Sequence, residues 1–201
     1  MKPELQMKPP YYTIIKESMH KKKANYLYEY LNIRYEATKY LLEKGLIQNS
    51  LIHGMWDKDD WLSPTAPYVI YGDPLMDLLM MQHLESVASR VVSDTNDLMP
   101  MVSYTRLYRK SDALVKHTDR PEDRKVTATV HLGHESLSGV TDPWPIYLKV
   151  DDKPVEIILE IGDMLVYSGE LEHWREPCKY DYYGQAMLHY TLKNSLYDNG
   201  E

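Results

Sequence analysis

Residues 101–119 read Met101-Val102-Ser103-Tyr104-Thr105-Arg106-Leu107-Tyr108-Arg109-Lys110-Ser111-Asp112-Ala113-Leu114-Val115-Lys116-His117-Thr118-Asp119. Met101 to Tyr108 and Ala113 to Thr118 are short β-prone runs, and Lys110-Ser111-Asp112 between them is a turn signal. Toward the C-terminus the pattern repeats. Val126 to Leu132, Pro145 to Val150, Val155 to Ile161, Met164 to Tyr167 and Ala186 to Leu192 are further runs. Gly133, Asp151-Asp152-Lys153-Pro154 and Gly162-Asp163 punctuate them. Seven short strands with no helix between them predict a β-sandwich or jelly roll.

Toward the N-terminus, before Pro100, the character changes. Between Ala24 and Lys44, Leu27, Leu31, Tyr35, Leu41 and Leu42 recur near a helical period, and Gly45 supplies the stop. Leu51 to Tyr71 holds Gly54, Trp56, Trp61, Pro64 and Pro67 and reads as an ordered loop. A second helix starts with Asp73 as N-cap and Pro74 at the first helical position, and runs to about Val92. Met76, Leu79, Met80, His83 and Val87 share one face of it, a stripe expected in the core. The expected architecture is α+β: a mainly helical region over 1–99 supporting a jelly-roll core over 100–193, within one domain of 201 residues.

Composition narrows the function. With 43% hydrophobic and 26% charged residues the chain is an ordinary globular one, and no apolar run is long enough to span a bilayer. Met1 to Pro10 lacks the apolar centre of a secretion signal. The single cysteine, Cys178, excludes an internal disulfide framework and a Cys-rich zinc module, and favours a cytoplasmic setting. A net charge of −7 argues against a general nucleic-acid coat, and His20-Lys21-Lys22-Lys23 reads as a solvated charge run. Eighteen tyrosines and no phenylalanine place tyrosine in the aromatic core positions, where each buried hydroxyl needs a partner. There is no Gly-x-Gly-x-x-Gly, Walker-type loop or Gly-x-Ser-x-Gly elbow to support nucleotide-dependent or serine-hydrolase chemistry. Asp57, Asp59 and Asp60 lack the offsets of a calcium loop.

What remains is a histidine–carboxylate constellation. His117 and Asp119, two apart at the end of a strand, point to one face, and His173 follows another strand 56 positions later. Two histidines and one carboxylate on one face of a metal leave positions open for substrates, the arrangement of non-haem Fe(II) oxygenases. Cys178 follows Pro177 in a loop with no second organised base, so thiol catalysis is disfavoured.

The segment from Tyr104 to Pro121, with His117-Thr118-Asp119 at its end, resembles the iron-binding segment of 2-oxoglutarate/Fe(II)-dependent dioxygenases of the prolyl-4-hydroxylase-like branch. Val126-Thr-Ala-Thr-Val-His-Leu132 resembles that family's next strand, and Gly162 to Pro177, containing His173-Trp174-Arg175, its turn, strand and distal histidine. The last stretch is similar to uncharacterised phage and marine-microbial members. The resemblance covers Tyr104 to Lys193, with a weaker echo at Tyr71 to Asp77. It implies a double-stranded β-helix holding Fe(II) through His117, Asp119 and His173, with 2-oxoglutarate as co-substrate. The implied reaction is hydroxylation of a small-molecule or peptidyl substrate.

The chain departs from the family at the far carboxylate of 2-oxoglutarate. The family's basic residue opens the last strand nine to ten residues beyond the distal histidine, where this chain has Tyr182 and Tyr183. Arg175 is the best substitute, since a continuing strand turns it to the face of His173; an ion pair with Glu172 or Glu176 is its other reading. Arg106 is a second candidate, with a rim ion pair as its alternative. Tyr108 matches a family tyrosine that reaches the co-substrate, or is a core aromatic. His131 shares a face with Thr127 and Thr129 and reads as structural, His134 as solvent-facing in a turn, and His189 either lines the site or does not. Trp144, between two prolines, reads as an edge-strand anchor, with a substrate shelf as its alternative. Two rival functions stand beside the oxygenase: a cupin-like metal enzyme without 2-oxoglutarate, and a non-catalytic jelly-roll binding or viral accessory protein.

Overall fold

The structure, a computed structural model, describes residues 6–7, 10–46, 68–71, 73–92, 98–119 and 125–192. Its elements run β1 (Gln6–Met7), β2 (Tyr12–Ile15), α1 (Lys21–Glu43), β3 (Tyr68–Tyr71), α2 (Pro74–Ala88), β4 (Val91–Val92) and β5 (Leu98–Arg109). Then come β6 (Leu114–His117), β7 (Val126–Glu135), β8 (Ile146–Val150), β9 (Lys153–Ile157), β10 (Met164–Ser168), β11 (His173–Arg175) and β12 (Tyr182–Leu192). One sheet has the order β2-β10-β7-β12-β5-β3 and faces a second, β6-β11-β8-β9. Every pairing is antiparallel, giving a double-stranded β-helix.

Strand alternation divides the six-stranded sheet into two unlike faces. Val126, Ala128, Val130 and Leu132 of β7, Met164 and Val166 of β10, and Ala186, Leu188 and Tyr190 of β12 form one core with α1 and α2. Leu165 and Tyr167 of β10 turn the other way, onto Ile146, Leu148, Val150 and Ile157 of the four-stranded sheet. Much of the remaining inner face is polar: Thr127, Thr129, His131, Arg106, Gln185 and His189 are buried there beside Tyr104, Tyr108 and Met187.

The helices begin and end for identifiable reasons. Asp73 caps α2 by accepting from the Leu75 N–H at 2.9 Å, while its other oxygen takes the Arg34 guanidinium at 2.6 Å and the Tyr30 hydroxyl at 2.9 Å. The cap thereby fastens α1 to α2. After α1, Gly45 adopts φ +64°, and the Gly45 and Leu46 N–H groups donate to Leu42 and Leu41, a Schellman closure. The described part of the Met-rich stripe, Met76, Leu79, Met80, His83 and Val87, is buried as its spacing requires.

Four expectations need correction. Residues 68–71 are a strand at the edge of the large sheet rather than loop; the rest of the expected loop, with Asp57, Asp59 and Asp60, lies outside the described residues. The second helix stops at Ala88, because Val91–Val92 pairs with Gln6–Met7. The first helix starts at Lys21 rather than Ala24, so the three lysines, exposed as a solvated charge run should be, form its first turn, capped by the His20 ring, which accepts from the Lys22 N–H at 3.2 Å. Pro154 lies inside β9, and the preceding turn is made by Asp151 and Asp152, at φ +48° and +59°.

Helix α1 reaches the sheet through Tyr28, whose ring lies over Gly133 and Gly184, partners across β7 and β12. A Cβ at Gly184 would meet the ring at 2.6 Å, and one at Gly133 at 2.8 Å. Gly184→Ala should therefore cost about 1–3 kcal/mol, read as a lower urea midpoint. In a Tyr28→Ala background the same substitution should cost much less; equal losses in both backgrounds would show that the ring is not what the glycines accommodate.

Candidate metal centre

His117 closes β6, and His173 opens β11 directly opposite it in the pairing. Directly opposed residues of an antiparallel pair point to the same face, so both imidazoles enter the space between the sheets. Their centroids lie 4.2 Å apart with a 52° tilt. Asp119 lies just beyond the strand end, where its N–H donates to the Gly169 carbonyl at 2.8 Å. His117, Asp119 and His173 each offer a ligand atom, and these atoms lie within 4.8 Å of one another. Asp119 Oδ1 is 4.0 Å from His173 Nε2.

Both rings are held in one tautomer. His117 Nδ1 lies 2.7 Å from the Val115 carbonyl and His173 Nδ1 3.0 Å from the Leu171 carbonyl. A carbonyl only accepts, so each Nδ1 carries the proton and each neutral ring keeps its Nε2 lone pair for a ligand. Burial, reinforced by the facing His173, pushes the His117 imidazole down to about 4; burial also lowers His173. Both are neutral at pH 7. Burial alone would raise the Asp119 carboxyl, but His189, His173 and the Thr127 hydroxyl outweigh it and hold it below the usual range. Two neutral imidazole nitrogens and one carboxylate oxygen, without a thiolate, are a donor set that suits Fe(II).

The surrounding side chains bear on the other sequence candidates. Arg175 is buried on β11. Its guanidinium lies 4.5 Å over the Trp144 ring and 5.1 Å over that of Tyr183, and Nη1 donates to the Trp144 carbonyl at 2.7 Å. Among the described residues Nε and Nη2 have no hydrogen-bond partner of good geometry beyond the nearby Tyr183 hydroxyl, and Arg175 makes no ion pair. Glu172 pairs instead with Lys149 at 3.2 Å and Lys116 at 3.8 Å, and Glu176 accepts from Trp174, so the ion-pair reading of Arg175 fails. Arg106, also buried, rests 5.2 Å over Tyr104 and donates to the Tyr108 hydroxyl at 3.2 Å. It is not at a rim; its positive charge opposes protonation of His117 and His173. Tyr108 is fully buried and meets Trp144 edge-on, which makes Trp144 part of this inner cluster rather than an edge-strand anchor.

His131 is buried, with Nδ1 bonded to the Leu159 carbonyl and the ring stacked on Tyr183 at 4.3 Å. His134 is exposed but lies in β7 rather than a turn, 3.2 Å from His131. His189 belongs to the site: it is buried, 2.9 Å from Thr127 Oγ1 and 3.8 Å from Asp119 Oδ2. Tyr167, which the sequence did not single out, meets the His173 ring edge-on at 5.0 Å. Among the described residues no helix is long and apolar enough to cross a membrane.

No protein-family model matches the sequence, and no curated protein does either. Solved structures do match. A Trichoplax adhaerens prolyl hydroxylase in complex with a hypoxia-inducible-factor oxygen degradation domain peptide superposes with a TM-score of 0.68 at 13% identity, over 96% of this chain and 89% of that one. A Pseudomonas putida prolyl-4-hydroxylase gives 0.59 at 12% identity, over 90% and 91%. HygX from Streptomyces hygroscopicus, solved with nickel, 2-oxoglutarate and hygromycin B bound, gives 0.58 at 10%, over 90% and 82%. The chain shares its fold with the 2-oxoglutarate/Fe(II) oxygenases.

Cys178 is buried, and that burial pushes its thiol up to about 11. At pH 8 the folded chain should react with iodoacetamide roughly 100-fold more slowly than the urea-unfolded chain. Comparable rates would restore the thiol as a candidate nucleophile.

Proposed function

We propose that this chain is an oxidoreductase that hydroxylates a small-molecule or peptidyl substrate, using O2 and 2-oxoglutarate at Fe(II) held by His117, Asp119 and His173. The observation that carries the reading is the convergence of two Nδ1-protonated imidazoles and one ionised carboxylate between the sheets. Held there by His117, Asp119 and His173, iron with 2-oxoglutarate would supply oxidation by O2, with succinate, carbon dioxide and hydroxylated substrate as the products.

The protein's own part is to hold, orient and exclude water. A 2-oxoglutarate bound through its keto acid end leaves a second carboxylate within a largely dry enclosure, where an unpaired charge is costly. Arg175 supports that role with two guanidinium nitrogens in no ion pair among the described residues, on a strand that also carries His173. The flanking rings of Trp144 and Tyr183 hold the planar guanidinium in place and shield it from solvent. Tyr108 supplies a hydroxyl whose oxygen already accepts from Arg106, leaving its proton to donate.

Anaerobic titration of the Fe(II) protein with 2-oxoglutarate, followed by its weak visible charge-transfer band, tests this. The wild type should develop the band. Arg175→Ala should raise the 2-oxoglutarate Kd by about 10- to 100-fold, the loss of roughly 1.5–3 kcal/mol expected of a charged hydrogen bond, with iron affinity nearly unchanged. Iron binding without any band would favour a metal enzyme that does not use 2-oxoglutarate. Equal affinities in the two proteins would remove Arg175 from the role and move it to Arg106.

A further inference from the structure

The metal reading leaves a connected set of buried polar groups behind Asp119 unused. Thr127 Oγ1 lies against Asp119 Oδ2, His189 Nδ1 lies 2.9 Å from Thr127 Oγ1, and His189 Nε2 lies 3.0 Å from the Tyr104 hydroxyl. The His189 and Tyr104 rings are stacked, with centroids 5.3 Å apart and planes 27° from parallel. Asp119, Thr127, His189 and Tyr104 are all at least nine-tenths buried and come from three different parts of the fold: the β6 end, β7 with β12, and β5.

The directions of these bonds follow from the chemistry of the groups. An ionised carboxylate only accepts, so Thr127 gives its single hydroxyl proton to Asp119 Oδ2. The Thr127 oxygen must then accept from His189, which fixes a proton on Nδ1. In the neutral ring Nε2 accepts in turn from the Tyr104 hydroxyl. These bonds run in one direction, and the chain ends on Oδ2. The other carboxylate oxygen, Oδ1, is the one that faces His173 Nε2 at 4.0 Å.

We propose that His189 is a positioning residue for the metal's carboxylate: acting through Thr127, it pins Oδ2 and presents Oδ1 alone to the ion. This deepens the reading of the triad as a metal site and rests on it. The carboxylate has a free torsion at its last bond, so without a donor fixed at Oδ2 it can turn either oxygen, or both, toward the metal. Thr127 cannot fix it unaided, because a hydroxyl rotor without its own donor can turn away. His189 supplies that donor, and the stacked Tyr104 ring keeps the imidazole from tilting.

The test uses Co(II) binding and the visible d–d spectrum of the Co(II) protein, both independent of turnover. Thr127→Val and His189→Phe should each weaken Co(II) binding by about 10- to 100-fold and alter the d–d bands. The double variant should bind no worse than Thr127→Val, because His189 acts through that hydroxyl. His189→Asn should restore affinity to within about threefold, since its amide N–H stands where Nδ1 stood; His189→Gln, whose amide reaches the Nε2 level, should not. If His189→Phe fails to fold, the contrast between Asn and Gln, and between Thr127→Ser and Thr127→Val, carries the same decision. Additive losses in the double variant, or an unchanged affinity and spectrum in His189→Phe, would overturn the proposal while leaving the metal site in place. A wild-type chain that takes up no Co(II) would overturn the metal reading and this inference together.

Discussion

The pairing of β11 with β6 in one register governs this site. It sets His173 opposite His117 and therefore turns both imidazoles to the inner face. Slipping that register by one residue would turn Trp174, which now stacks on Tyr147 outside the sheet, toward the interior and His173 toward solvent. Burial then acts on the paired rings: it disfavours their charged form, and the carbonyls of Val115 and Leu171 choose which nitrogen keeps the proton. Placement, neutrality and tautomer all follow from a three-residue strand and its neighbour. Asp119 completes the set because its backbone is tied to Gly169, on the loop that leads into β11.

The same alternation separates folding from chemistry. The outer face of the large sheet is apolar and receives the helices, with Tyr28 seated on two glycines and Tyr190 donating to the Met80 carbonyl. The inner face carries threonines, histidines, a glutamine and Arg106, and Arg175 lies on β11 of the other sheet; such groups cost stability when buried without partners. Their positions are sustained by pairing within the cavity wall: Gln185 donates to Thr129, His131 to the Leu159 carbonyl, and the guanidiniums of Arg106 and Arg175 lie on aromatic rings. A delocalised guanidinium tolerates this better than an ammonium would, because it is more weakly hydrated and stacks on aromatic faces. The tyrosine-rich composition serves both faces, providing ring surface together with hydroxyls, of which those of Tyr30, Tyr104 and Tyr190 find acceptors.

Much of this was legible in the sequence where a local rule governs. The Asp73-Pro74 start, the Gly45 stop and the Met-rich stripe depend on capping and periodicity alone. The runs that became β5, β6, β7, β8, β10 and β12 carry their alternation within themselves. What escaped depends on partners distant in the chain. Tyr12–Ile15 is a strand because β10 offers it an edge, and His173–Arg175 because β6 and β8 flank it. His117, Asp119 and His173 stood out by residue type and spacing, and the structure brings them together. His189 was named as a histidine that could line the site, but its partner was not, since only the β7–β12 register places it opposite Thr127. Arg175 was visible as a cation two residues from His173, but its burial between Trp144 and Tyr183 is a product of three separated segments.

The central claim is that one ion is shared by two imidazoles through Nε2 and by one carboxylate oxygen. Anomalous diffraction from a crystal grown with Mn(II) measures this directly. The account predicts a single strong peak bonded to His117 Nε2, His173 Nε2 and Asp119 Oδ1, with His189 outside bonding distance. A peak elsewhere, ligation by His189 in place of one of the three, or no peak at saturating Mn(II) would contradict it.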